Sequence, residues 1–502
     1  MRRSTDARPI GELLDASLAS DPNSVALRID ERVWTYSELD ELVERCAAAL
    51  AAAGVGPGAR VALSAGNSPV FVAAVFAVAR LGATIIMVST SWKDQEVTHA
   101  LVLTEPTHVV RDASGAADLG ALAPGIPILS IDDLPLGDAG ASTDRPVVGL
   151  DDIAVMVFSS GTTGLPKAVR HSHRTMHAAT VHWIECLGLT AEDRLQIATP
   201  PFHILGLLNI YAVVASGASV RLHRRFDLDV VLRAIENDRV TIEMAVAPIA
   251  LAMASHPELE RFDLSSLRYI MWGATPVTPS VAETITRRSG VRILAAYGAS
   301  ELPVLAANPV HEPDRWRLDS VGVPPAGVEF RVVDLESGEV VSPGVTGELQ
   351  ARSASAMVGY LPESANAHAF AEGCWYRTGD VGRVDAEGWV TISDRVKEMI
   401  KVNGFQVAPA ELETVLLSHP AVVDCAVFGV PDPASGEAPV AAVVLAAGSS
   451  TTGEELREFV ASRLAGYKRL QDVFVVDQLP RLPSGKVLRR QLKLSFEDAQ
   501  AR

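Results

Sequence analysis

The sequence predicts an α/β fold with largely parallel sheets, built as a large N-terminal region followed by a small C-terminal domain. Three observations carry this. Helical and strand patterns alternate along most of the chain, the arrangement that builds helix-covered parallel sheets. The length of 502 residues corresponds, at roughly 150 residues per domain, to about three domains or subdomains. Near residue 394 the texture changes: Ser393–Gly404 carries six charged or amide side chains. A compact stretch follows that is long enough to fold alone. The expected domains are therefore 1–393 and 394–502.

The elements follow in order. Glu38–Ala53 is an Ala/Leu-rich helix stopped by Gly54, and Arg60–Ser64 is a short strand. Val70–Val88 is the most apolar stretch, but Arg80 and Gly82 interrupt it. A helix over Pro69–Leu81 and a strand over Thr84–Val88 explain it better than a membrane span. Gly115–Leu150, rich in Ala, Gly, Pro and Asp, reads as a surface excursion or subdomain edge. Strand Ala154–Phe158 then enters a glycine-rich loop, and a short strand covers Ile293–Ala295. The C-terminal domain reads as helix Glu411–Ser418, strands Val422–Phe428 and Val440–Leu445, helix Glu454–Leu464, strand Val473–Val476 and a basic terminal helix Val487–Leu494.

Composition narrows the function. Hydrophobic residues at 48% and charged residues at 21% describe an ordinary globular chain, long enough to bury a large core. A net charge of −17 argues against a general nucleic-acid binder, which needs basic patches to neutralise phosphates. A small anionic ligand needs only a local basic site. Cys46, Cys186, Cys374 and Cys425 are far apart and form no CxxC pair. That argues against a zinc site or disulfide framework and for a reducing compartment; all four read as buried packing residues. The start MRRSTDARPIGELLD has basic residues but no apolar core after them, so it is not a secretory signal. The expected location is cytoplasmic, with no membrane span.

The chemistry begins at Ser159-Ser160-Gly161-Thr162-Thr163-Gly164-Leu165-Pro166-Lys167, directly after an apolar strand. Two glycines permit positive φ, so main-chain N–H groups can converge on an anion. Four hydroxyls add donors and Lys167 adds charge. The spacing GxxGxPK is not the GxxxxGK[ST] of P-loop nucleotidases. A flexible surface loop is the bland alternative, and turns or charged linkers are the bland alternatives for the motifs downstream.

The string SSGTTGLPKA resembles the phosphate-binding signature of the adenylate-forming (ANL) superfamily. Acyl-CoA synthetases, coumarate–CoA ligases, beetle luciferases and peptide-synthetase adenylation domains belong to it. Further motifs follow in that family's order, so the resemblance covers essentially the whole chain. It implies an N-terminal adenylation domain of stacked α/β subdomains and a small mobile α+β C-terminal domain.

Residue roles are implied motif by motif. Tyr297-Gly298-Ala299-Ser300-Glu301 resembles YGxTE, with Ser300 in place of Thr. There the aromatic ring stacks on adenine and the Glu holds Mg²⁺, a hard cation suited to carboxylate and phosphate oxygens; Thr163 joins Glu301 as an expected metal contact. Tyr376-Arg377-Thr378-Gly379-Asp380 resembles YRTGD, whose Asp accepts from both ribose hydroxyls. Ser393–Lys401 resembles the hinge segment: Asp394 is the hinge, Arg395 reaches the nucleotide, and Lys401 serves the thioester half-reaction. The nucleotide contacts extend by the same resemblance to Gly273, Ala274, Ala296, Lys397 and Gln406. Pro483-Ser484-Gly485-Lys486 resembles the C-terminal motif whose Lys is needed for adenylation. An ammonium beside the attacking carboxylate and the α-phosphate stabilises the developing charge.

Pocket residues bear on the acid. His203, in Pro201-Phe202-His203, stands where amino-acid-activating relatives carry Asp, which argues against an α-amino acid. Gly298 stands where acetate-specific relatives carry Trp, which implies a larger acid. With Leu207, Val246, Trp272 and Val304 the expected lining is mostly apolar and suits an aryl, alicyclic or medium-chain acid. Asn403 and Gly404 are the expected CoA contacts, but coumarate–CoA ligases carry Lys where Asn403 stands.

The expected function is ATP- and Mg²⁺-dependent conversion of a carboxylic acid to acyl-AMP, then thioesterification to CoA. The alternative is an enzyme that runs mainly the first half-reaction or loads a carrier protein's phosphopantetheine. A second copy of the chain, in a homodimer, is the other expected partner. A nonenzymatic nucleotide sensor is disfavoured by intact Lys167, Glu301, Asp380 and Lys486.

Overall fold

The computed structural model describes residues 7–113, 115, 117–138, 145–159, 166–199, 201–273, 277, 279–403, 405–433, 435–481 and 487–500. They fall into two compact units. The first holds residues up to 245, 249–329 and 351–376; the second holds 246–248, 330–350 and 377 onward.

Among the described residues the first unit holds two whole sheets and part of a five-stranded third. One has eight strands among the described residues, in the order Ala306–Ala307, Ile293–Tyr297, Tyr269–Trp272, Ile242–Ala245, Arg194–Ile197, Ser219–Leu222, Val25–Ile29, Arg32–Thr35. Its inner strands run parallel and its two edge strands antiparallel. The other has seven: Gly359–Leu361, Lys167–Ser172, Ile153–Ser159, Thr84–Met87, Arg60–Ser64, His108–Arg111, Ile128–Ser130. It is parallel except where Lys167–Ser172 pairs antiparallel on both sides.

Helix Pro69–Arg80 explains the apolar stretch noted above. Its N-cap Ser68 accepts from Phe71 N, and it is buried almost throughout. Arg80, which breaks the hydropathy, is itself buried and pairs with Asp15, Asp40 and Glu44 at 2.6–3.2 Å. A buried guanidinium is tolerable only with such partners.

One expectation is narrowed and one corrected. Of the two readings of Gly115–Leu150, a surface excursion or a subdomain edge, the described residues favour the second. Ile128–Ser130 adds a parallel edge strand, and Leu119, Ile131 and Leu134 are buried. A three-residue strand is too short to show a period of two. Of the cysteines, Cys46, Cys186 and Cys425 are buried but Cys374 is exposed. It occupies the turn before strand Trp375–Val384, at φ 61°.

A buried polar chain joins the two whole sheets of this unit. Asn67 lies just past strand Arg60–Ser64. Its amide donates to the carbonyls of Thr199 at 3.1 Å and His223 at 2.9 Å, beyond two strands of the other sheet. His223 Nε2 donates to Gln196 Oε1 at 2.7 Å, and Gln196 Nε2 donates to Glu243. Burial pushes the Glu243 carboxyl up to about 8, because a charge there would lose its hydration.

The second unit is mostly antiparallel. Strands Phe405–Val407, Ile400–Val402, Gly436–Leu445 and Val422–Asp432 form one sheet, with Asp472–Val475 parallel beside Gly436–Leu445. Helices Pro409–Leu417 and Gly453–Ala461 cover a core that includes Leu412, Leu416, Val427, Val443 and Val460. Phe428, Phe474 and Phe496 meet at centroid distances of 5.6–6.3 Å and seat helix Arg489–Gln500. Among the described residues no helix is long and apolar enough to cross a membrane.

Candidate active site

In the first unit the motifs gather where strands end. Pro201-Phe202-His203 follows Arg194–Ile197, Gly273 follows Tyr269–Trp272, and Tyr297–Glu301 continues Ile293–Tyr297. Each follows the carboxyl end of a parallel strand, where open α/β sheets place their ligands.

Lys167 and Ser159 face each other as the closing pair of a hairpin. Ser160, Gly161, Thr162, Thr163 and Gly164 lie outside the described residues, as do Ala274, Gly404, Lys486 and the side chain of Gln406. Strand Gly359–Leu361 pairs with Lys167–Ser172 and brings Tyr360 opposite Val169. There the Lys167 ammonium sits 5.0 Å from the Tyr360 ring centroid, within cation–π range.

The Tyr360 hydroxyl donates to Glu301 Oε1 at 2.8 Å. Tyr376 in turn donates to the Tyr360 oxygen. All three side chains are buried. Burial, then the nearby Glu301 carboxylate, pushes both phenols far above their ordinary range, so both stay O–H donors. The main chain at Glu301 is also held, since its carbonyl accepts from Met357 N at 2.8 Å. His171 Nε2 donates to Ser300 O at 2.7 Å, and Thr175 Oγ1 lies 3.1 Å from Nδ1. Complete burial lowers the His171 imidazole to about 4, so the neutral ring makes this contact.

Sequence reasoning missed Tyr360 and His171, and saw Tyr376 only as part of YRTGD. Their partners lie 59 and 129 residues away. Local spacing carries no sign of such contacts. The one available signal was the tyrosine itself, an aromatic residue directly after Gly359.

The pocket residues divide by accessibility. Leu207 and Val304 are fully enclosed and Trp272 is 1% exposed, whereas His203 and Gly298 are exposed. His203 precedes helix Ile204–Ser216 as its N-cap residue and lies 4.5 Å, ring to ring, from Phe202. Its imidazole is pushed below the ordinary range by surrounding protein, although solvent reaches the ring. The neutral ring is therefore favoured there.

Gly298 is constrained by more than pocket size. A Cβ there would meet Pro303 O at 2.1 Å. The loop is tied down by Ala299 N to Leu302 O at 3.0 Å and Leu305 N to Tyr297 O at 2.9 Å. The expectation that Gly298 simply leaves room is corrected: this backbone admits no side chain at 298. Gly298→Ala is expected to displace the 299–303 loop and lower kcat/KM for pyrophosphate release roughly 100-fold, the scale of an ångström misplacement. Near-normal rates in that assay would contradict it.

The remaining motif residues lie in the second unit. Asp380 is buried, its carboxylate meets Arg395 Nε at 2.9 Å, and its N–H donates to Thr378 Oγ1 at 3.0 Å. Asp394 is also buried and accepts from Arg395 N at 2.7 Å and Ala410 N at 2.8 Å. It therefore satisfies an orphan donor of helix Pro409–Leu417, whose N-cap Ala408 has no side-chain acceptor. Burial pushes the Asp394 carboxyl up to about 6. Lys401 is exposed on strand Ile400–Val402, and Lys397 is exposed in the turn before it. Asn403 adopts φ 50°, a left-handed conformation that Asn tolerates better than Lys. Backbone geometry thus offers a reason for the departure noted at this position.

Among the described residues no cluster of three or more His, Cys, Asp or Glu could hold a metal by itself. Glu301 alone still suits Mg²⁺, which commonly binds through one or two carboxylates plus substrate phosphates.

Comparison with known proteins agrees with this arrangement. The chain matches the family described as AMP-binding enzyme over residues 14–361 and its C-terminal domain over 411–486. It is 36% identical to 4-coumarate–CoA ligase 2 of Oryza sativa subsp. japonica, covering 97% of this chain and 92% of that protein. The o-succinylbenzoate CoA synthetase of Bacillus subtilis, solved with its acyl-adenylate intermediate, superimposes with a TM-score of 0.85 at 30% identity, over 97% and 98% of the two chains. The amide bond synthetase McbA from Marinactinospora thermotolerans gives 0.86 at 30% identity, over 97% and 100%. The chain belongs to the AMP-binding enzyme family, within the adenylate-forming superfamily of acyl-CoA synthetases and related acid–thiol ligases.

Proposed function

We propose that this enzyme activates a carboxylic acid larger than acetate, of aryl, alicyclic or medium-chain type, and transfers the acyl group to CoA. One observation supports the reading above all: Lys167, Tyr360 and Glu301 meet in one unit. They join the cation of the glycine-rich loop to a buried carboxylate just past the end of strand Ile293–Tyr297.

In the first step a carboxylate oxygen attacks the α-phosphorus of ATP. The bond from that phosphorus to the bridging oxygen breaks, and pyrophosphate leaves. In the second the thiolate sulfur attacks the acyl carbon, the bond to the AMP oxygen breaks, and AMP leaves. Lys167 neutralises phosphate charge, Tyr297 stacks on adenine, and Asp380 accepts from the ribose. Lys486 serves the first step and Lys401 the second. Glu301 would hold Mg²⁺ together with phosphate oxygens. When bound, that ion supplies positive charge to the departing pyrophosphate. His203, Leu207, Val246, Trp272, Gly298 and Val304 surround the acyl group in this reading. Asp394 is the hinge about which residues 394–502 turn against 1–393 between the two steps.

The acceptor has a second reading. Asn403 replaces the Lys of coumarate–CoA ligases, and one structural relative is named an amide bond synthetase. An amine or a carrier-protein phosphopantetheine would then take the acyl group. Pyrophosphate release should be measured with a panel of aryl, alicyclic and C4–C12 acids, and products identified by mass with CoA, a carrier protein or an amine present. Acid-dependent release with acyl-CoA as product is expected. Acyl-AMP that persists with CoA but is consumed by another acceptor would reject the CoA step. No release with any acid would reject the reading itself.

A further inference from the structure

Tyr360 lies in none of the motifs that assign the substrates, yet it touches both charged groups of the triphosphate site. Its ring faces the Lys167 ammonium at 5.0 Å. Its hydroxyl donates to Glu301 at 2.8 Å and accepts from Tyr376. An ionised carboxylate can only accept and each phenol has one proton, so the chain has a single direction: Tyr376 to Tyr360 to Glu301.

Such a chain fixes an orientation. A glutamate has three side-chain torsions, and a lone carboxylate beside a polyphosphate would sample several rotamers. With Oε1 held by a buried phenol, the remaining lone pairs point one way. The main chain is pinned independently by Ser300 O to His171 and Glu301 O to Met357. The side chain has Tyr360 as the partner that sets its carboxylate. A ligand carboxylate that accepts a hydrogen bond from a neighbour is the usual arrangement where a metal's donor must be aimed.

We propose that Tyr360 is a positioning residue that aims the Glu301 carboxylate at the divalent cation on ATP, with Tyr376 setting Tyr360. This rests on the reading that Glu301 is the metal ligand. Tyr360→Phe keeps the ring over Lys167 and removes only the hydroxyl, which makes it the discriminating variant.

The test is Mn²⁺ binding by electron paramagnetic resonance, with the full-length protein saturated by α,β-methylene ATP. It compares wild type, Tyr360→Phe, Glu301→Gln and the double variant. Tyr360→Phe is expected to weaken Mn²⁺ binding roughly 10-fold, the lower end for loss of a group that orients a ligand. Glu301→Gln should weaken it at least as much. The double variant should be no weaker than Glu301→Gln alone, because Tyr360 acts only through that carboxylate. The Mg²⁺ concentration that half-saturates pyrophosphate release should rise in parallel, with the KM for the acid unchanged. Unchanged Mn²⁺ affinity in Tyr360→Phe, or losses that add in full in the double variant, would overturn the proposal while leaving Glu301 as ligand. Unchanged affinity in Glu301→Gln would overturn the ligand assignment and the proposal with it.

Discussion

The Lys486→Ala enzyme is expected to lose pyrophosphate release roughly 100- to 1,000-fold, the scale for removing one preorganised charge-stabilising donor. Supplied acyl-adenylate should still be converted to the thioester at a rate within roughly threefold of wild type, because that step gains nothing from a donor used only in the other transition state. The architecture of the second unit supports this division. Lys401 sits on strand Ile400–Val402, in register with Val407 to Phe405. The segment that carries Lys486 leads instead into helix Arg489–Gln500. Arg489 anchors that helix: its guanidinium donates to Val427 O at 3.0 Å, to Glu413 at 2.8 Å and to Glu398. The two lysines stand on different stretches of the chain, so each can be replaced alone. The assay follows pyrophosphate from ATP and acid in one arm and AMP from synthetic acyl-adenylate and CoA in the other. Equal loss in both arms would reject the division of labour.

Stability should fall with rising pH most of all through the Glu243 carboxyl. Its pKa is raised in the folded protein, from 4.5 to about 8. A carboxyl with a raised folded pKa contributes stability that is fully present below its unfolded pKa and lost as pH climbs through the folded one. The window is therefore about pH 4.5 to 8. The contribution lost across it is on the order of 5 kcal/mol, at 1.36 kcal/mol per pH unit. Glu243→Gln keeps an acceptor for Gln196 and removes the ionisation. Its apparent Tm should change less between pH 6 and pH 9 than that of wild type, so that the variant gains relative to wild type as pH rises. A constant difference between the two across that range would show that Glu243 does not titrate there.

Much of the fold was legible from local pattern. Strand Arg60–Ser64 matches residue for residue, and helix Pro69–Arg80 ends one residue before its expected limit. Both are bounded by a glycine, proline or cap that fixes φ or supplies an acceptor. Helix Tyr36–Ala52 begins two residues earlier than Glu38 because a capping box forms between Thr35 and Glu38, and in it Glu38 is the third helical residue. Strand Gly436–Leu445 begins four residues before Val440, since it pairs with Val422–Asp432 along its whole length; pairing, not hydropathy, sets that boundary. The site was legible as motifs but not as contacts. Asn67, His171 and Tyr360 act on residues 59 to 156 positions away. Nothing in spacing or periodicity records such a meeting.

Gly298 bears on how an enzyme of this kind could change its substrate. In the proposed reading, in which Gly298 borders the acyl group, a larger side chain at 298 would be the direct way to shorten the acyl cavity. On this backbone the first added carbon already overlaps Pro303 O. Narrowing the cavity therefore demands two coordinated events: a reshaped 299–303 loop and then the bulky residue. Neither is useful first, since the residue alone breaks the loop and the loop alone gains no selectivity. Libraries that vary one codon at a time would pass over this route, whereas joint randomisation of 298 with the loop would reach it. Any preference for longer acids would thus be protected by a valley in the fitness landscape and not by the absence of a methyl group alone.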